Sequence, residues 1–289
     1  MRLFALVTGV MVAFAANSVL NRAAVGADLI SPMAFGVIRL WAGAATLLLL
    51  AMVLRGRLRF AGVGRASGVI GLLAYIFGFS YAYLALDSGL GALILFGTVQ
   101  VTMFVGAVLG GDRPHGVRWI GAALALAGLA WLVSPTLASP KSGFGPAVFM
   151  GVAGIGWGIY SLAGRQAEDA LMSTAANFAI AAPLALLGGI STVSEWVEIS
   201  GAGLLLAVIS GALTSGLGYA LWYAVLPRLE ASVAAVAQLT VPVIAMAGGM
   251  AFLSEPLTGR FVIAAAVILG GVALSVLGPR YFTRASSGS

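Results

Sequence analysis

Ten stretches of predominantly apolar residues, separated by short polar or proline-marked breaks, account for most of this chain. An apolar helix of about 20 residues is long enough to cross the hydrocarbon of a bilayer. Within lipid, only helices and closed barrels satisfy all their backbone hydrogen bonds internally. Charged residues make up 8% of the chain, whereas about 25% is usual in soluble domains. We therefore expect an all-α membrane protein with ten transmembrane helices.

The predicted spans are defined by the positions of the breaks. They cover residues 3–22, 32–54, 66–86, 90–110, 116–134, 144–164, 171–190, 201–223, 231–252 and 258–278. The connecting segments are short, so no attached soluble domain is predicted.

The two halves of the chain repeat each other at an offset of 142 residues. The shared frame is Pro-x3-Arg-x9-Gly-x3-Leu, and a constant offset over such a frame indicates a duplicated unit rather than chance similarity between apolar helices. We predict a first five-helix repeat at 1–138, a second at 143–280, and a C-terminal tail at 281–289 that is partly an expression remnant. Matching positions include Pro114 and Pro256, Arg118 and Arg260, Gly128 and Gly270, Tyr81 and Tyr223, and, after a one-residue gap, Ser18 and Ser161.

Arginines in the connections predict the orientation of the helices. With a cytoplasmic N-terminus, the inner segments hold eleven arginines, and the outer segments hold only Arg22, Lys141 and Arg260. Basic residues accumulate on cytoplasmic loops, so both termini are predicted in the cytoplasm, in a bacterial inner membrane. Each repeat has an odd number of spans, so the second repeat is inverted. Many secondary transporters have this architecture, with a central substrate cavity between the halves.

The chain resembles a known transporter group. Each half has a proline-containing turn before its last helix, and the second half carries Glu255-Pro256 at this turn. These features are similar to the drug/metabolite transporter superfamily, EamA type. The aromatic third span and Trp157-x2-Tyr160 are most similar to the YddG aromatic amino-acid exporters. The resemblance implies ten helices around a central cavity, alternating access, and export of aromatic and other amino acids.

Several classes of function are disfavoured by what the chain lacks. It has no cysteine, one histidine and nine acidic residues, so disulfides are excluded and neither a metal site nor a cofactor is expected. The net charge of +6 comes mainly from arginines between spans and does not indicate a nucleic-acid partner. No phosphate-binding loop and no nucleophile–base set is found, so a membrane-embedded enzyme is disfavoured.

Aromatic residues in two spans are the main candidates for a substrate site. Tyr75 and Phe79 are four residues apart and share a helix face. A phenol in mid-span would lack a hydrogen-bond partner in lipid, which favours a cavity wall. Trp157 and Tyr160 lie on one face of span six. We predict that these four side chains surround one cavity.

Other candidates are polar residues, or residues related to them by the repeat. Arg39 is the only charge well within a predicted span, as a partner for a substrate carboxylate or as a structural brace satisfied by carbonyls or Asp87. Pro242 is a candidate gate or hinge, because proline permits a kink. The remaining predicted substrate-binding residues are Asn17, Phe96, Gln100, Tyr219 and Gln238.

These observations predict an exporter of small metabolites, most specifically amino acids with aromatic or apolar side chains. Efflux of hydrophobic drugs is the alternative, since the same aromatic wall could serve it. The expected partners are a small-molecule substrate and the lipid bilayer, with the protein a monomer or weak oligomer. No acidic residue lies inside a predicted span, and Arg260 is close to Glu255 in sequence. We therefore expect transport down the substrate's own gradient rather than proton coupling through a buried carboxylate.

The predicted topology can be tested by labelling introduced cysteines, because the chain has none of its own. Cysteines at Arg57 and Arg113 should react only with a reagent on the cytoplasmic side, and one at Ser139 only from outside. Labelling at Ser139 from the cytoplasm would reverse the orientation.

Overall fold

The computed structural model describes residues 2–112, 114–134, 144–165, 167–189, 199–229 and 231–286. Within these ranges all regular structure is helical, and nine helices are long and apolar enough to cross a membrane. The tenth helix is shorter, and its apolar stretch is Gly116–Leu132. The predicted all-α membrane fold is confirmed, with ten helices in two inverted sets of five.

The first repeat contains five uninterrupted helices, and the second contains two that are irregular. The ten helices are α1 Arg2–Val25, α2 Pro32–Arg55, α3 Arg65–Ala82, α4 Ser88–Leu109, α5 Gly116–Val133, α6 Phe144–Gly164, α7 Ala170–Gly189, α8 Gly201–Arg228, α9 Val233–Leu253 and α10 Gly259–Ser286. Helix α3 ends four residues before the predicted boundary, and α8 extends five residues beyond it.

Both irregular helices change their hydrogen-bonding pattern within their length. In α8, Ser210–Leu217 is π-helical between two α-helical pieces, Gly201–Ile209 and Gly218–Val225. In α9, the ladder is broken between Gln238 and Val241. Pro242, the predicted hinge, directly follows this break, which is consistent with its lack of a backbone N–H donor.

Local sequence explains where α2 begins and ends. The hydroxyl of Ser31 accepts a hydrogen bond from the backbone N–H of Ala34 at 3.2 Å, and Pro32 occupies the first helical position. This is a favourable N-terminus, since proline has no N–H to leave unpaired there. At the other end Gly56 has φ 66°, a left-handed conformation that glycine adopts without strain.

Contacts between loops define two ends of the bundle. At the terminal end, where α1 begins, Arg55, the last residue of α2, pairs with Asp169, the residue before α7, at 2.6 Å. At the opposite, distal end, the backbone N–H of Ser200 before α8 bonds the carbonyl of Leu29 after α1. Helix α1 starts at the terminal end and α6 at the distal end, so the two repeats run in opposite directions.

Glycines allow the closest contacts between helices. A Cβ on Gly156 of α6 would lie 2.6 Å from the carbonyl oxygen of Gly71 on α3, and a Cβ on Gly71 would lie 2.7 Å from that of Gly156. Helices α5 and α10 make a similar contact through Gly121 and Gly271. Close backbone approach is a principal source of helix association in lipid, where no hydrophobic effect presses helices together.

Two expectations fall outside the described residues. The boundary between the repeats, at 138 and 143, lies in a range that the structure does not describe. The same holds for Arg113 and Ser139, two of the three labelling positions.

The α3–α6 contact predicts a position-specific effect of side-chain size. Gly156→Leu should lower the stability of the protein by about 1–3 kcal/mol or prevent folding, because the side chain meets backbone. Gly151→Leu on the same helix is the matched control, since a Cβ there has nothing within 4 Å. The melting temperature in detergent and the monodisperse fraction are measured for both variants. Equal behaviour of the two variants would contradict the packing argument.

Candidate functional site

A small pocket lies at the centre of the helix bundle, where α1, α3, α4, α6 and α8 meet. Its volume is about 10 Å³, room for roughly one water molecule. Most of its lining is aromatic, so it presents flat apolar surfaces with a few polar groups. The lining residues are Phe14, Asn17, Ser18, Tyr75, Phe79, Leu95, Phe96, Trp157 and Tyr219.

Trp157 is the centre of the aromatic cluster. Its ring centroid lies 4.9 Å from that of Tyr75 and 5.0 Å from that of Tyr219, both in tilted geometry. Tyr160 stacks on it at 5.2 Å with an interplanar angle of 24°. Such contacts stabilise the cluster beyond the burial of apolar area alone. Tyr160 therefore supports the wall from behind, with its hydroxyl bonded to Thr174 at 3.0 Å.

Phe14 and Trp157 occupy equivalent positions in the two repeats and meet across the pocket. They are 143 residues apart, the offset that relates Ser18 to Ser161. Their ring centroids are 6.4 Å apart in edge-to-face geometry. The central pocket therefore lies between the two halves.

Arg39 is fully buried beside this pocket. Its Nε donates to the hydroxyl of Ser215 at 3.0 Å and its Nη2 to the hydroxyl of Tyr75 at 2.8 Å. The guanidinium carbon lies 5.1 Å from the ring centroids of both Tyr75 and Phe79. Cation–π attraction of this kind is strongest where water is excluded.

The partners of Arg39 differ from those that the sequence suggested. It contacts neither Asp87 nor a backbone carbonyl, and among the described residues its Nη1 has no hydrogen-bond partner and no carboxylate within ion-pair distance. Asp87 instead lies at the distal end, 4.0 Å from Arg22. Hydroxyls and rings compensate the charge only in part, because a buried ion without a counter-ion retains most of its desolvation cost.

Asn17 is held by the π-helical turn of α8. Its side-chain oxygen accepts hydrogen bonds from the hydroxyls of Ser210 at 2.8 Å and Thr214 at 2.5 Å. The residue is 2% exposed and lines the central pocket. The same turn of α8 thus binds both Asn17 on α1 and, through Ser215, Arg39 on α2.

A larger cavity opens at the terminal end of the bundle. We call it the vestibule; its volume is about 830 Å³. Gln100 and Gln238 line the vestibule and not the central pocket, so the structure separates them from the other predicted residues. Trp157 lines both cavities, and its indole therefore forms part of the wall between them.

The predicted site residues fall at different places in the structure. Tyr160 and Arg39 lie just outside the pocket lining, and Pro242 lies at the break in α9. Sequence reasoning missed Phe14, Ser18 and Leu95 as lining residues, and it did not identify Ser215. The helix period could have suggested Phe14 and Ser18, which are four residues apart and share a face of α1 with Asn17. No sequence signal connects Ser215 to Arg39. The predicted residues in the central pocket are Asn17, Tyr75, Phe79, Phe96, Trp157 and Tyr219.

The distal end is closed by a polar cluster around Glu255. Its carboxylate accepts hydrogen bonds from the backbone N–H of Ser88 at 2.9 Å and 3.0 Å and from the Ser88 hydroxyl at 2.5 Å. Ser88 is the first residue of α4, so the carboxylate also benefits from the helix dipole. The Nε of Arg22 lies 3.7 Å from Glu255. This cluster joins the ends of α1, α4 and α9.

Glu255 and Arg260 are close in sequence but have different partners in the structure. Among the described residues no ion pair joins them, and Arg260 donates to the carbonyls of Trp131 and Leu132 at the end of α5. Glu255 is only 8% exposed, and burial raises its pKa, although hydrogen bonds from Ser88 oppose the shift. Glu255 lies between α9 and α10, and no acidic residue lies inside a described span, so transport without proton coupling stays a prediction.

Comparison with known proteins identifies similar chains. A model described as the EamA-like transporter family matches residues 145–277. An uncharacterised protein of Pseudomonas aeruginosa is 43% identical over 281 residues, which cover 96% of each chain. A protein of Escherichia coli K12 named a probable amino-acid metabolite efflux pump is 27% identical over 232 residues, 76% of this chain and 78% of that protein.

More distant similarity extends to the fold. An uncharacterised transporter of Archaeoglobus fulgidus is 25% identical over 255 residues, covering 86% of this chain and 89% of that protein. One solved crystal structure superposes with a TM-score of 0.65 at 18% identity and covers 96% of this chain and 97% of the other. At that identity the superposition shows a shared fold.

The distal cluster predicts a stability effect that depends on burial. Glu255→Ala should cost about 1–3 kcal/mol, because the N–H and hydroxyl of Ser88 lose a buried acceptor. Glu255→Gln should lose less, since its amide oxygen still accepts. Glu168→Ala is the control, because its pair with Arg59 is exposed and such pairs contribute little. Melting temperatures in detergent measure the differences. An unchanged melting temperature in Glu255→Ala would show that the cluster does not hold the distal end.

Proposed function

Because the chain belongs to the EamA-like transporter family of the drug/metabolite transporter superfamily, we propose that it exports amino acids with aromatic or apolar side chains. We take the protein to be a transporter and not an enzyme. The E. coli relative named a probable amino-acid metabolite efflux pump supports amino-acid metabolites as the substrate, and the aromatic lining of the central pocket supports the choice of side chain. We retain repeats at 1–138 and 143–280, and a monomer or weak oligomer in the bacterial inner membrane.

The buried charge of Arg39 is the observation that carries this proposal. Its Nη1 has no partner among the described residues, and the aromatic rings that it contacts line the central pocket. A guanidinium binds a carboxylate with charge-assisted hydrogen bonds, frequently two in parallel. A substrate carboxylate would supply the missing counter-ion without leaving a permanent buried ion pair.

The rest of the pocket suits an apolar or aromatic side chain. Rings of Phe14, Tyr75, Trp157 and Tyr219 provide stacking surfaces, and the few polar groups orient the ligand. The pocket is too small to hold an amino acid as it stands, so substrate entry requires the rings to move apart. We assign this movement first to Trp157, which separates the pocket from the vestibule.

The two ends of the bundle suggest which state this is. The vestibule is open at the terminal end, while Glu255, Ser88 and Arg22 close the distal end. We place the terminal end in the cytoplasm, from the distribution of arginines. The structure then corresponds to an inward-open state that admits substrate from the cytoplasm. Alternating access would open the distal end by rocking the inverted halves.

Efflux of hydrophobic drugs is the second candidate, and the aromatic wall favours it. The two functions differ in their need for Arg39, because a drug without a carboxylate gains nothing from a guanidinium. An effect of Arg39 that depends on the substrate carboxylate therefore distinguishes them.

The test measures initial uptake into proteoliposomes for L-phenylalanine and for phenethylamine, which lacks the carboxylate. Arg39→Gln should raise the KM for L-phenylalanine roughly 10- to 100-fold, the loss expected for a charged hydrogen bond. Arg39→Lys should recover only part of it, since an ammonium cannot form the planar fork. Arg59→Gln, at an exposed arginine, is the control and should leave KM unchanged.

Phenethylamine should respond differently, with a KM that Arg39→Gln leaves unchanged or lowers. Equal losses for both compounds would mean that Arg39 is a structural brace. Efficient transport of apolar cations, with no transport of L-phenylalanine, would favour drug efflux.

A further inference from the structure

We propose that Ser215, in the π-helical turn of α8, is a positioning residue that sets the affinity of Arg39 for a substrate carboxylate. The inference rests on the proposed function, because it names the group that orients the guanidinium. Ser215 is fully buried and does not line the central pocket, so it acts through Arg39 rather than on the substrate.

The hydrogen bonds of Arg39 leave a defined set of donors free. A guanidinium has five N–H donors in a fixed plane. The Nε donor is taken by Ser215 and one Nη2 donor by Tyr75. Among the described residues, Nη1 has no hydrogen-bond partner and Nη2 bonds only Tyr75, so both donors of Nη1 and the second donor of Nη2 remain for an anion. One donor from each of these nitrogens forms the fork that accepts a carboxylate in parallel. The two hydrogen bonds to hydroxyls therefore fix the plane of the guanidinium and leave the paired donors of Nη1 and Nη2 available for a carboxylate.

The π-helical register explains how Ser215 reaches Arg39. Residues five apart lie nearly above one another in a π-helix, whereas they differ by about 140° around an α-helix. Ser210 and Ser215 are five apart and both fully buried, and Thr214 and Tyr219 are five apart and both nearly buried. In an α-helical register these pairs would diverge, and Ser215 could not face the bundle together with Ser210.

Comparison of the two repeats argues against a purely architectural role. At the offset of 142 residues, Arg39 corresponds to Ala181, Tyr75 to Leu217 and Ser215 to Leu73. All three members of the hydrogen-bonded set are thus replaced by apolar residues in the other half. Each repeat thus forms its fold with apolar residues at positions that the other repeat uses for this set, since Ala181 and Leu217 stand in the second repeat and Leu73 in the first. The set combines Arg39 and Tyr75 of the first repeat with Ser215 of the second, so it is formed once, and the duplicated fold does not require it.

The distinguishing consequence is an effect on carboxylate recognition alone. Without the Ser215 hydroxyl, the guanidinium can turn about its side-chain bonds and loses the orientation of its fork. The affinity for a carboxylated substrate should fall, while a substrate without the carboxylate should be unaffected. A merely structural role would change both substrates together.

The experiment compares L-phenylalanine and phenethylamine in proteoliposomes. Ser215→Ala should raise the KM for L-phenylalanine roughly 3- to 30-fold with little change in Vmax, since it removes one hydrogen bond to a charged group. The KM for phenethylamine should stay within about twofold. Ser215→Thr keeps the hydroxyl and should restore the wild-type ratio of the two KM values.

Ser210→Ala is the matched control, because Ser210 is an equally buried hydroxyl of the same turn that bonds Asn17 instead of Arg39. It should leave the ratio of the two KM values unchanged. Equal changes for both substrates in Ser215→Ala, or a ratio equal to that of the wild type, would overturn the proposal. If Ser215→Ala does not fold, a wild-type ratio in Ser215→Thr supports the proposal and a shifted ratio overturns it.

Comparing Arg39→Gln with Ser215→Ala separates the positioning role of Ser215 from the carboxylate-binding role of Arg39. If Arg39→Gln changes the ratio and Ser215→Ala does not, the positioning role alone is wrong. If Arg39→Gln changes neither substrate, or L-phenylalanine is not transported, the proposed function fails and the positioning role fails with it.

Discussion

The guanidinium of Arg39 is held inside the bundle by two hydroxyls and two aromatic rings, with no acidic partner among the described residues. A charge at the centre of a bilayer costs about 2.5–3.5 kcal/mol even on insertion scales. The residues around Arg39 must therefore be placed so that they offset this cost. Ser215 requires the π-helical turn, and Tyr75 must turn its hydroxyl toward α2 while its ring packs on Trp157. The aromatic pocket and the irregular α8 therefore both help to hold the Arg39 guanidinium.

The inverted repeat supplies a symmetric frame that the site does not follow. Phe14 and Trp157 keep the symmetry and meet at the centre, whereas Arg39, Tyr75 and Ser215 have apolar counterparts. The ends of the bundle differ as well, since the distal end is closed around Glu255 and the vestibule opens at the terminal end. Under the proposed function, the symmetric scaffold would provide a gate at each end, and the asymmetric centre would bind the substrate in one orientation.

Sequence reasoning located helix faces better than contacts. The four-residue spacing of Tyr75 and Phe79 placed both on a face that lines the central pocket. Gln100 and Gln238 were predicted at the substrate site, but they line the vestibule instead of the central pocket. Spacing within one helix does not give the position of neighbouring helices. Closeness in sequence did not identify the basic neighbour of Glu255, which is Arg22 on α1 at 3.7 Å rather than Arg260, because the packing of the helix ends decides which side chains meet.

The sequence by itself determined the membrane class, the number of helices and the duplication, because hydrophobic length, turn residues and repeat offset are local or strictly periodic properties. It also singled out Arg39, since a charge within an apolar span is conspicuous. The packed structure was needed to pair Arg39 with Ser215, 176 residues away. That contact depends on the π-helical register of α8, on close packing of small residues and on the balance of burial against hydrogen bonding. None of these is encoded in the spacing along a single helix.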